Sequence, residues 1–508
     1  MDNSNKRIAK NTLLLYIRML FLMLVSLYTS RIILNALGIE DYGVYNVVGG
    51  VVAMFGVLSG AVSVAIGRFI TFELGRGDEE RLKKVFSTSM NMLFIIIISI
   101  LVLAESIGLW FLNSKMVFPE GRIDAANIVY QISLLTFITS IVNIPFNATI
   151  IAHEKMSAFA YISIFEALGK LLTAFLVVRT LYDKLIYYAI TILVIAILTI
   201  SIYIIYCKFH FKECKYSFEI DKDLFKEIFG LAGWESVGSL SIILKNQGNN
   251  VLINLFFGTV VNAAFGVASQ VSNAIHGFIT NFMMALNPQI IKSYAINDHN
   301  RLMSLIYKGA RYSYYLMLLL SLPILLNTHN VLVLWLKIVP EHAETFVRLV
   351  LIYMLSETLS GTLKTAQTAT GKIRTYKIII GSINLTAIPI SYVLLKIGAP
   401  PEVVYLTLIM LSNASLIVRI PLLKKMVGIS IRKFLKEVYL NVIVVSAISV
   451  VVPFLLRTDE IGWLSLILST LICLFSVSLT VLLIGLSRTE RNELVELTGR
   501  HVRRYIKR

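Results

Sequence analysis

Apolar runs of about 20 residues or more, separated by short polar segments, recur from one end of the 508-residue chain to the other. A helix rises about 1.5 Å per residue, so about 20 residues cross the ~30 Å hydrocarbon layer of a membrane. The pattern predicts an all-α polytopic membrane protein with about fourteen transmembrane helices. Their expected positions are 11–36, 44–71, 88–112, 125–150, 157–178, 184–206, 225–256, 261–286, 305–327, 345–369, 376–396, 402–423, 435–456 and 462–486. The first run is too long for a cleavable signal peptide and no A-x-A site follows it, so it is expected to persist as the first span.

The polar segments are asymmetric in charge. With the N-terminus inside, the inward segments and the tail hold about 30 Lys and Arg, against about 7 on the other side. The positive-inside rule then places both termini in the cytoplasm. The outward loops are short, about 17 residues at most. That leaves little room for a folded outer domain with a catalytic site.

Sliding the sequence on itself by 220 residues pairs Gly38 with Gly258, Asp78 with Asp298, Arg81 with Arg301 and Leu82 with Leu302. The same shift lays "SLYTSR" (26–31) over "NQGNNV" (246–251), so both lead helices turn polar near the end expected outside. Both copies start on the same side, as parallel repeats of six spans do. Spans 13 and 14 remain as an appendix.

Polar side chains are costly against lipid, so stripes of them within spans point to protein or to a watery cavity. In 261–286 and just beyond, Asn262, Ser269, Asn273, His276, Thr280 and Asn287 lie within about 40° of one line at ~100° per residue. This stripe reads as a cavity wall, with hydrogen bonding to neighbouring helices as the alternative. "SETLSGTLKTAQTATG" brings Glu357, Gly361, Lys364 and Thr368 to one face, where Glu357 and Lys364 are set to neutralise one another. In 44–71 the corresponding face is Tyr42, Gly49, Ala53, Gly56, Gly60 and Gly67. It reads as close small-xxx-small packing or as a groove for a bulky ligand.

Charges also sit inside spans. The opening helix carries Arg18 and Arg31, ~20 Å apart along its axis and ~140° apart around it. Arg31 lies near the outer end and can snorkel; Arg18 can snorkel inward or face a cavity. Lys170, Lys245, Arg348 and Lys364 are further embedded cations, against the embedded acids Glu105, Glu166, Glu235 and Glu357. Glu166 and Lys170 form an i,i+4 pair expected to neutralise itself. An interior biased to positive charge suits an anionic substrate such as a phosphate.

"SLYTSRIILNALGIEDYGVYNVVGGVVAMF", "RFITFELGRGDEERLKKVFSTSMN", "IIAHEKMSAFAYISIFEALGKL" and "TATGKIRTYKIIIGSINL" resemble Wzx-type flippases for O-antigen and capsular polysaccharide precursors. These belong to the MATE-like multidrug/oligosaccharidyl-lipid/polysaccharide (MOP) superfamily. The resemblance covers the whole chain, and L-G-x-x-x-Y-G-x-Y at 37–45 is its most specific piece. It implies two six-helix bundles around a V-shaped central cavity, lobes 1–210 and 211–425, with 426–508 adding two helices and a basic tail. It implies a flippase that carries an undecaprenyl-pyrophosphate-linked oligosaccharide from the inner to the outer leaflet of the bacterial cytoplasmic membrane. Arg18, Lys245 and Lys364, with Arg31 for release or gating, are the positions expected to meet substrate. Glu235 and Glu357 are the candidates for proton or sodium coupling, and a polysaccharide polymerase is a further expected partner.

Composition narrows this reading. The chain is 57% hydrophobic and 15% charged, where soluble domains average about a quarter charged residues. The formal charge of +17 is mostly the loop bias, so nucleic acid is not an expected partner, while contact of the basic tail with anionic lipid is. Cys207, Cys214 and Cys473 form no metal or disulfide spacing, and no P-loop or H-E-x-x-H stretch occurs. No catalytic residue, metal or cofactor is expected. A multidrug exporter of the same superfamily would want embedded carboxylates to dominate, and here cations do. A lipid-linked peptidoglycan precursor flippase is a closer rival, separable by complementation rather than by inspection. A membrane polymerase or ligase would want the large outer loop this chain lacks.

Overall fold

The computed structural model describes residues 3–53, 55–116, 121–218, 221–336, 339–456 and 461–492, which form helices and turns with no strand among them. Twelve helices in the described residues, from Arg7–Gly38 to Trp463–Gly485, are long and apolar enough to cross a membrane. The chain is a multi-pass helical membrane protein. The expected count of about fourteen is not reached by that measure, because 44–71 and 261–286 are helical but not among the twelve. In 261–286 the polar stripe dilutes the apolar run. The stretch 44–71 is divided at residue 54, which lies outside the described residues. The basic tail beyond residue 492 also lies outside them.

Two compact units make up the chain. One is Ala9–Leu240 with Ile291–Asn297; the other holds Met1–Ile8, Ser241–Ile290 and the residues from Asp298 onward. They are called the N-terminal and C-terminal units below.

The 220-residue shift is visible in the backbone. Helix Asn3–Ala53 breaks its helical geometry at Gly38 (φ 78°, ψ 173°), and helix Lys222–Ala295 breaks at Gly258 (φ 76°, ψ −166°). That combination is accessible essentially only to glycine, so both copies need it at the turn between their first two spans. Asp78 caps helix Glu79–Leu103 by accepting from the Arg81 N–H at 2.9 Å, and Asp298 caps His299–Leu326 by accepting from the Arg301 N–H at 3.0 Å. Leu82 and Leu302 follow, 4% and 3% exposed. All four residue pairs thus serve equivalent structural roles.

A further correspondence appears where two helices start side by side in each unit. Arg122 precedes helix Ile123–Val142, and Asp183 precedes and caps Lys184–His210. The Arg122 Nη1 donates to Asp183 Oδ2 at 2.6 Å, and its Nε donates to Asp41 Oδ1 at 2.7 Å. Shifted by 220 and 219 residues, His342 precedes Ala343–Thr358 and Glu402 precedes Val403–Val427, with Nδ1 to Oε1 at 2.6 Å. The position 220 residues after Asp41 is Val261; the second carboxylate near His342 is instead its exposed neighbour Glu341, 3.9 Å from Nε2.

The last two long helices, Asn441–Leu455 and Trp463–Thr480, pack on each other and on His299–Leu326. Tyr314 bonds Ser446 at 2.9 Å, Tyr315 donates to the Gly485 carbonyl at 3.0 Å, and Arg311 pairs with Glu490 at 2.6 Å. The appendix is therefore fixed to the C-terminal unit by buried polar contacts as well as by apolar burial.

Candidate functional site

Within the N-terminal unit a cavity of about 410 Å³ is lined by one face of the opening helix, one face of Met156–Arg179, and tyrosines from two other segments. The opening helix supplies Arg18, Ser26, Thr29 and Ser30; the second helix supplies Ser163, Glu166 and Lys170. Arg18 and Thr29 share a helix face, as their spacing requires. The guanidinium of Arg18 lies over the Phe159 ring, 4.3 Å from its centroid. Such stacking holds the cation in place and leaves its edge free for other partners. Neither Arg18 Nε nor Thr29 Oγ1, both buried atoms, has a hydrogen-bond partner among the described residues. Lys170 Nζ meets Glu166 Oε1 at 2.6 Å. At the far end Tyr45 and Tyr188 meet edge to face, with centroids 4.9 Å apart, beside Tyr42. The lining therefore carries two cations, one carboxylate and a tyrosine cluster.

The C-terminal unit gathers its charge differently. Glu357 Oε1 accepts a hydrogen bond from Lys364 Nζ, and Glu357 Oε2 accepts from Ser412 Oγ at 3.0 Å. The carboxylate interacts electrostatically with Lys364, then Arg419, then Lys245. Lys245 donates to the Tyr353 hydroxyl at 2.9 Å and Arg419 Nη1 to the Tyr376 hydroxyl at 2.7 Å. Lys245 and Arg419 are buried, while the Glu357 and Lys364 side chains keep 28% and 40% exposure. One carboxylate thus answers three cations, and the accessible part of the cluster is a Lys–Glu pair.

The stripe predicted on 261–286 meets this cluster. His276 interacts electrostatically with Lys364 and Glu357. Asn273, His276 and Thr280 are exposed, Thr280 donates to the His276 carbonyl at 3.0 Å, and Ser269 is half-buried and donates to the Phe265 carbonyl at 2.9 Å. Asn287 accepts from Thr365 at 2.7 Å. The side chain of Asn262 lies outside the described residues. Arg31 is exposed and absent from the cavity lining, and Glu235 is buried within the N-terminal unit. Arg348 lies near Thr328 (3.2 Å) and Glu344 (3.7 Å).

Several residues of these two sites escaped the sequence reading. Arg419 is a cation inside an apolar run, and that signal alone would have found it. Tyr353, Tyr376 and Tyr188 carry no comparable signal, because tyrosine is common throughout such spans, while Tyr45 closes the L-G-x-x-x-Y-G-x-Y motif, which marks the family and not a role.

At the helix-start joint of the N-terminal unit, electrostatics are clear. Arg122 is raised above its ordinary value, chiefly by its hydrogen bond with Asp183. Burial pushes the Asp183 carboxyl up, but the hydrogen bonds from Arg122 and from the Ile186 and Leu185 N–H groups outweigh it and hold it below the usual range.

The profile of the polysaccharide biosynthesis protein family matches residues 8–294. The uncharacterized membrane protein EpsK of Bacillus subtilis (strain 168) is 22% identical over 305 residues, and the match spans 59% of this chain and 59% of that relative's length. Among solved structures, the outward-facing conformation of a multidrug resistance MATE family transporter of the MOP superfamily superposes with a TM-score of 0.72 at 14% identity, covering 84% of this chain and 97% of that one. MATE in the bent conformation gives 0.72 at 15% identity, covering 84% and 98%. These likenesses give the fold: the helices are arranged as in MATE transporters.

Proposed function

The chain belongs to the polysaccharide biosynthesis protein family, and from that premise we propose that this MATE-like transporter moves an undecaprenyl-pyrophosphate-linked oligosaccharide from the cytoplasmic to the outer leaflet by alternating access. In this reading it resides in the bacterial cytoplasmic membrane with both termini inside. Its lobes are 1–210 and 211–425, followed by the appendix 426–508. Glu235 and Glu357 are the candidates for coupling to protons or sodium.

The observation that carries the proposal is Arg18. It sits in an apolar helix, opens on a cavity, and has a buried Nε without a hydrogen-bond partner among the described residues. A permanent cation within a membrane helix is expensive unless it meets water or an anion. A guanidinium grips phosphate oxygens through parallel hydrogen bonds, which an ammonium does not copy. A carrier of cationic drugs would be poorly served by it.

Loss of a charge-assisted contact costs about 1.5–3 kcal/mol of binding. Arg18→Ala should therefore reduce surface-glycan export at normal protein abundance, Arg18→Glu should reduce it further, and Arg18→Lys should restore it only in part. Full export by Arg18→Ala, with abundance checked by blot, would remove the phosphate role. Equal rescue by Lys would mean that Arg18 only snorkels.

A further inference from the structure

The cavity of the N-terminal unit is long and chemically graded. Arg18 and Ile33 both line it and lie ~22 Å apart along one helix. Phe159, under Arg18, lies on the same helix as Ser163, Glu166 and Lys170, so the order along the cavity is Arg18, then Glu166, then Lys170. Lys170 interacts with Tyr45, which places the tyrosine cluster at the Lys170 end. Arg18 also feels the Glu166 charge. One carboxylate therefore stands between two cations, hydrogen-bonded to one and within electrostatic reach of the other.

Two features have no structural explanation on their own. A self-neutralising Glu–Lys pair needs no cavity beside it, and a cavity that stabilises the unit would be filled with apolar side chains. Here Leu22, Val25, Ile33 and Ala167 share the wall with hydroxyls, tyrosines and charges, and Arg18 Nε and Thr29 Oγ1 are unsatisfied donors among the described residues. A void of several hundred Å³ with apolar and aromatic walls and a few convergent polar groups is the character of a ligand pocket.

We propose that this cavity binds a glycosyl phosphate, with Glu166 as a built-in anion that the phosphate displaces. The phosphate takes Arg18 and Lys170. The sugar ring packs on the apolar faces of Tyr45 and Tyr188, and its hydroxyls pair with Ser26, Thr29 and Ser30. Tyrosine suits this task because it offers a flat apolar body and a polar tip. The Glu166 carboxylate competes for the same cations. When the pocket is empty it offsets one of their two charges, and it lowers phosphate affinity enough for release. This deepens the flippase reading and rests on it only for the source of the phosphate.

The test uses the full chain, purified in detergent, with monodispersity checked by size exclusion. Titration calorimetry compares glucose 1-phosphate, inorganic pyrophosphate and glucose. Glucose 1-phosphate should bind, and glucose should not. Arg18→Ala should weaken both phosphate probes about tenfold, with Arg18→Lys intermediate. Glu166→Gln keeps a hydrogen-bonding group but removes the competing charge, so it should tighten both phosphate probes about tenfold. Tyr45→Ala and Tyr188→Ala should lower glucose 1-phosphate affinity and leave pyrophosphate unchanged. Unchanged or weaker phosphate binding in Glu166→Gln would overturn the displaced-anion role. Equal loss of both phosphate probes in the tyrosine variants would overturn the sugar platform. Undecaprenyl pyrophosphate in mixed micelles supplies the last arm. Competition with glucose 1-phosphate supports a lipid headgroup as the ligand. Glucose 1-phosphate binding without such competition keeps the pocket and removes the lipid-linked substrate on which the transport reading depends.

Discussion

In the N-terminal unit two helix starts are tied by Arg122, held by Asp183 and Asp41; in the C-terminal unit the equivalent starts are tied by His342 and Glu402. The same division runs through the interiors. One repeat presents Gly49, Gly56, Gly60 and Gly67 where the other presents Ser269, His276, Thr280 and Asn287. One holds Arg18 in an open cavity; the other surrounds Glu357 with Lys364, Arg419 and Lys245. The repeats kept the residues that shape the backbone, the glycine turn and the aspartate cap, and diverged at side chains that face cavities or set charge. Geometry is common property of the two units, and chemistry is divided between them.

The largest expected effect follows from the two carboxylates. Glu357 is the counter-ion for two buried cations as well as for Lys364. Removing one partner of a buried charge group leaves the others uncompensated. Glu357→Gln should therefore destabilise the purified protein by about 3 kcal/mol, measured by thermal or denaturant unfolding. Glu166 and Lys170 are 38% and 46% exposed, so Glu166→Gln should cost well under about 1 kcal/mol. Equal losses would break the distinction between a structural charge cluster and an exchangeable pair. A double change, Glu357→Gln with Lys364→Met, should recover part of the loss, because it removes a stranded cation along with its partner.

The contrast also explains what was legible in the sequence. The spans followed from apolar length alone, and the repeat from matched span order, loop side and polar position, together with identities that include two local roles: a glycine that must take a positive φ and an aspartate that must cap a helix. Such roles depend on sequence neighbours, so a one-dimensional shift detects them. The joint between Arg122 and Asp183 joins residues 61 apart, and that between His342 and Glu402 joins residues 60 apart. Neither pair shares a residue type with its counterpart, so the shift passed over them. The Arg18 cavity was half legible. Helical spacing put Arg18 with Thr29, but the contribution of Tyr45 and Tyr188 depends on how distant segments pack.

The joints give an intermediate effect. Arg122 bonds two carboxylates from partly buried positions, so Arg122→Ala should cost about 1–2 kcal/mol. His342→Ala removes one close pair, with Glu402, and a longer contact with the exposed Glu341, and should cost about 0.5–1 kcal/mol. A cost for His342→Ala above that of Arg122→Ala would reverse this order. Acid sharpens the test. The Asp183 carboxyl is depressed in the folded state, so its contribution is present at neutral pH and is lost as pH falls through its folded value, below the ordinary ~3.9. The gap in unfolding free energy between wild type and Asp183→Asn should be full at pH 7 and should close only in strong acid.

The smallest effect belongs to the glycine face. A Cβ built at Gly49, Gly56, Gly60 or Gly67 meets nothing among the described residues within 4 Å, whereas one at Gly309 in the C-terminal unit comes within 2.4 Å of the Leu286 side chain and 2.8 Å of Thr362. Small-xxx-small packing needs contact at the glycines, and Gly56 and Gly60 make none among the described residues. Alanine at an open helical glycine gains about 0.5–1 kcal/mol of helix propensity. Gly56→Ala and Gly60→Ala should therefore leave unfolding unchanged or raise it slightly, while Gly309→Ala should lower it by about 1–3 kcal/mol. Bulk then separates stability from transport. Gly60→Leu should keep the melting temperature near that of wild type and still reduce glycan export, because an open smooth face is useful only if something large passes along it. A clear drop in melting temperature with Gly60→Ala would mean that the face is packed against protein. Unimpaired export by Gly60→Leu would mean that the substrate does not use it.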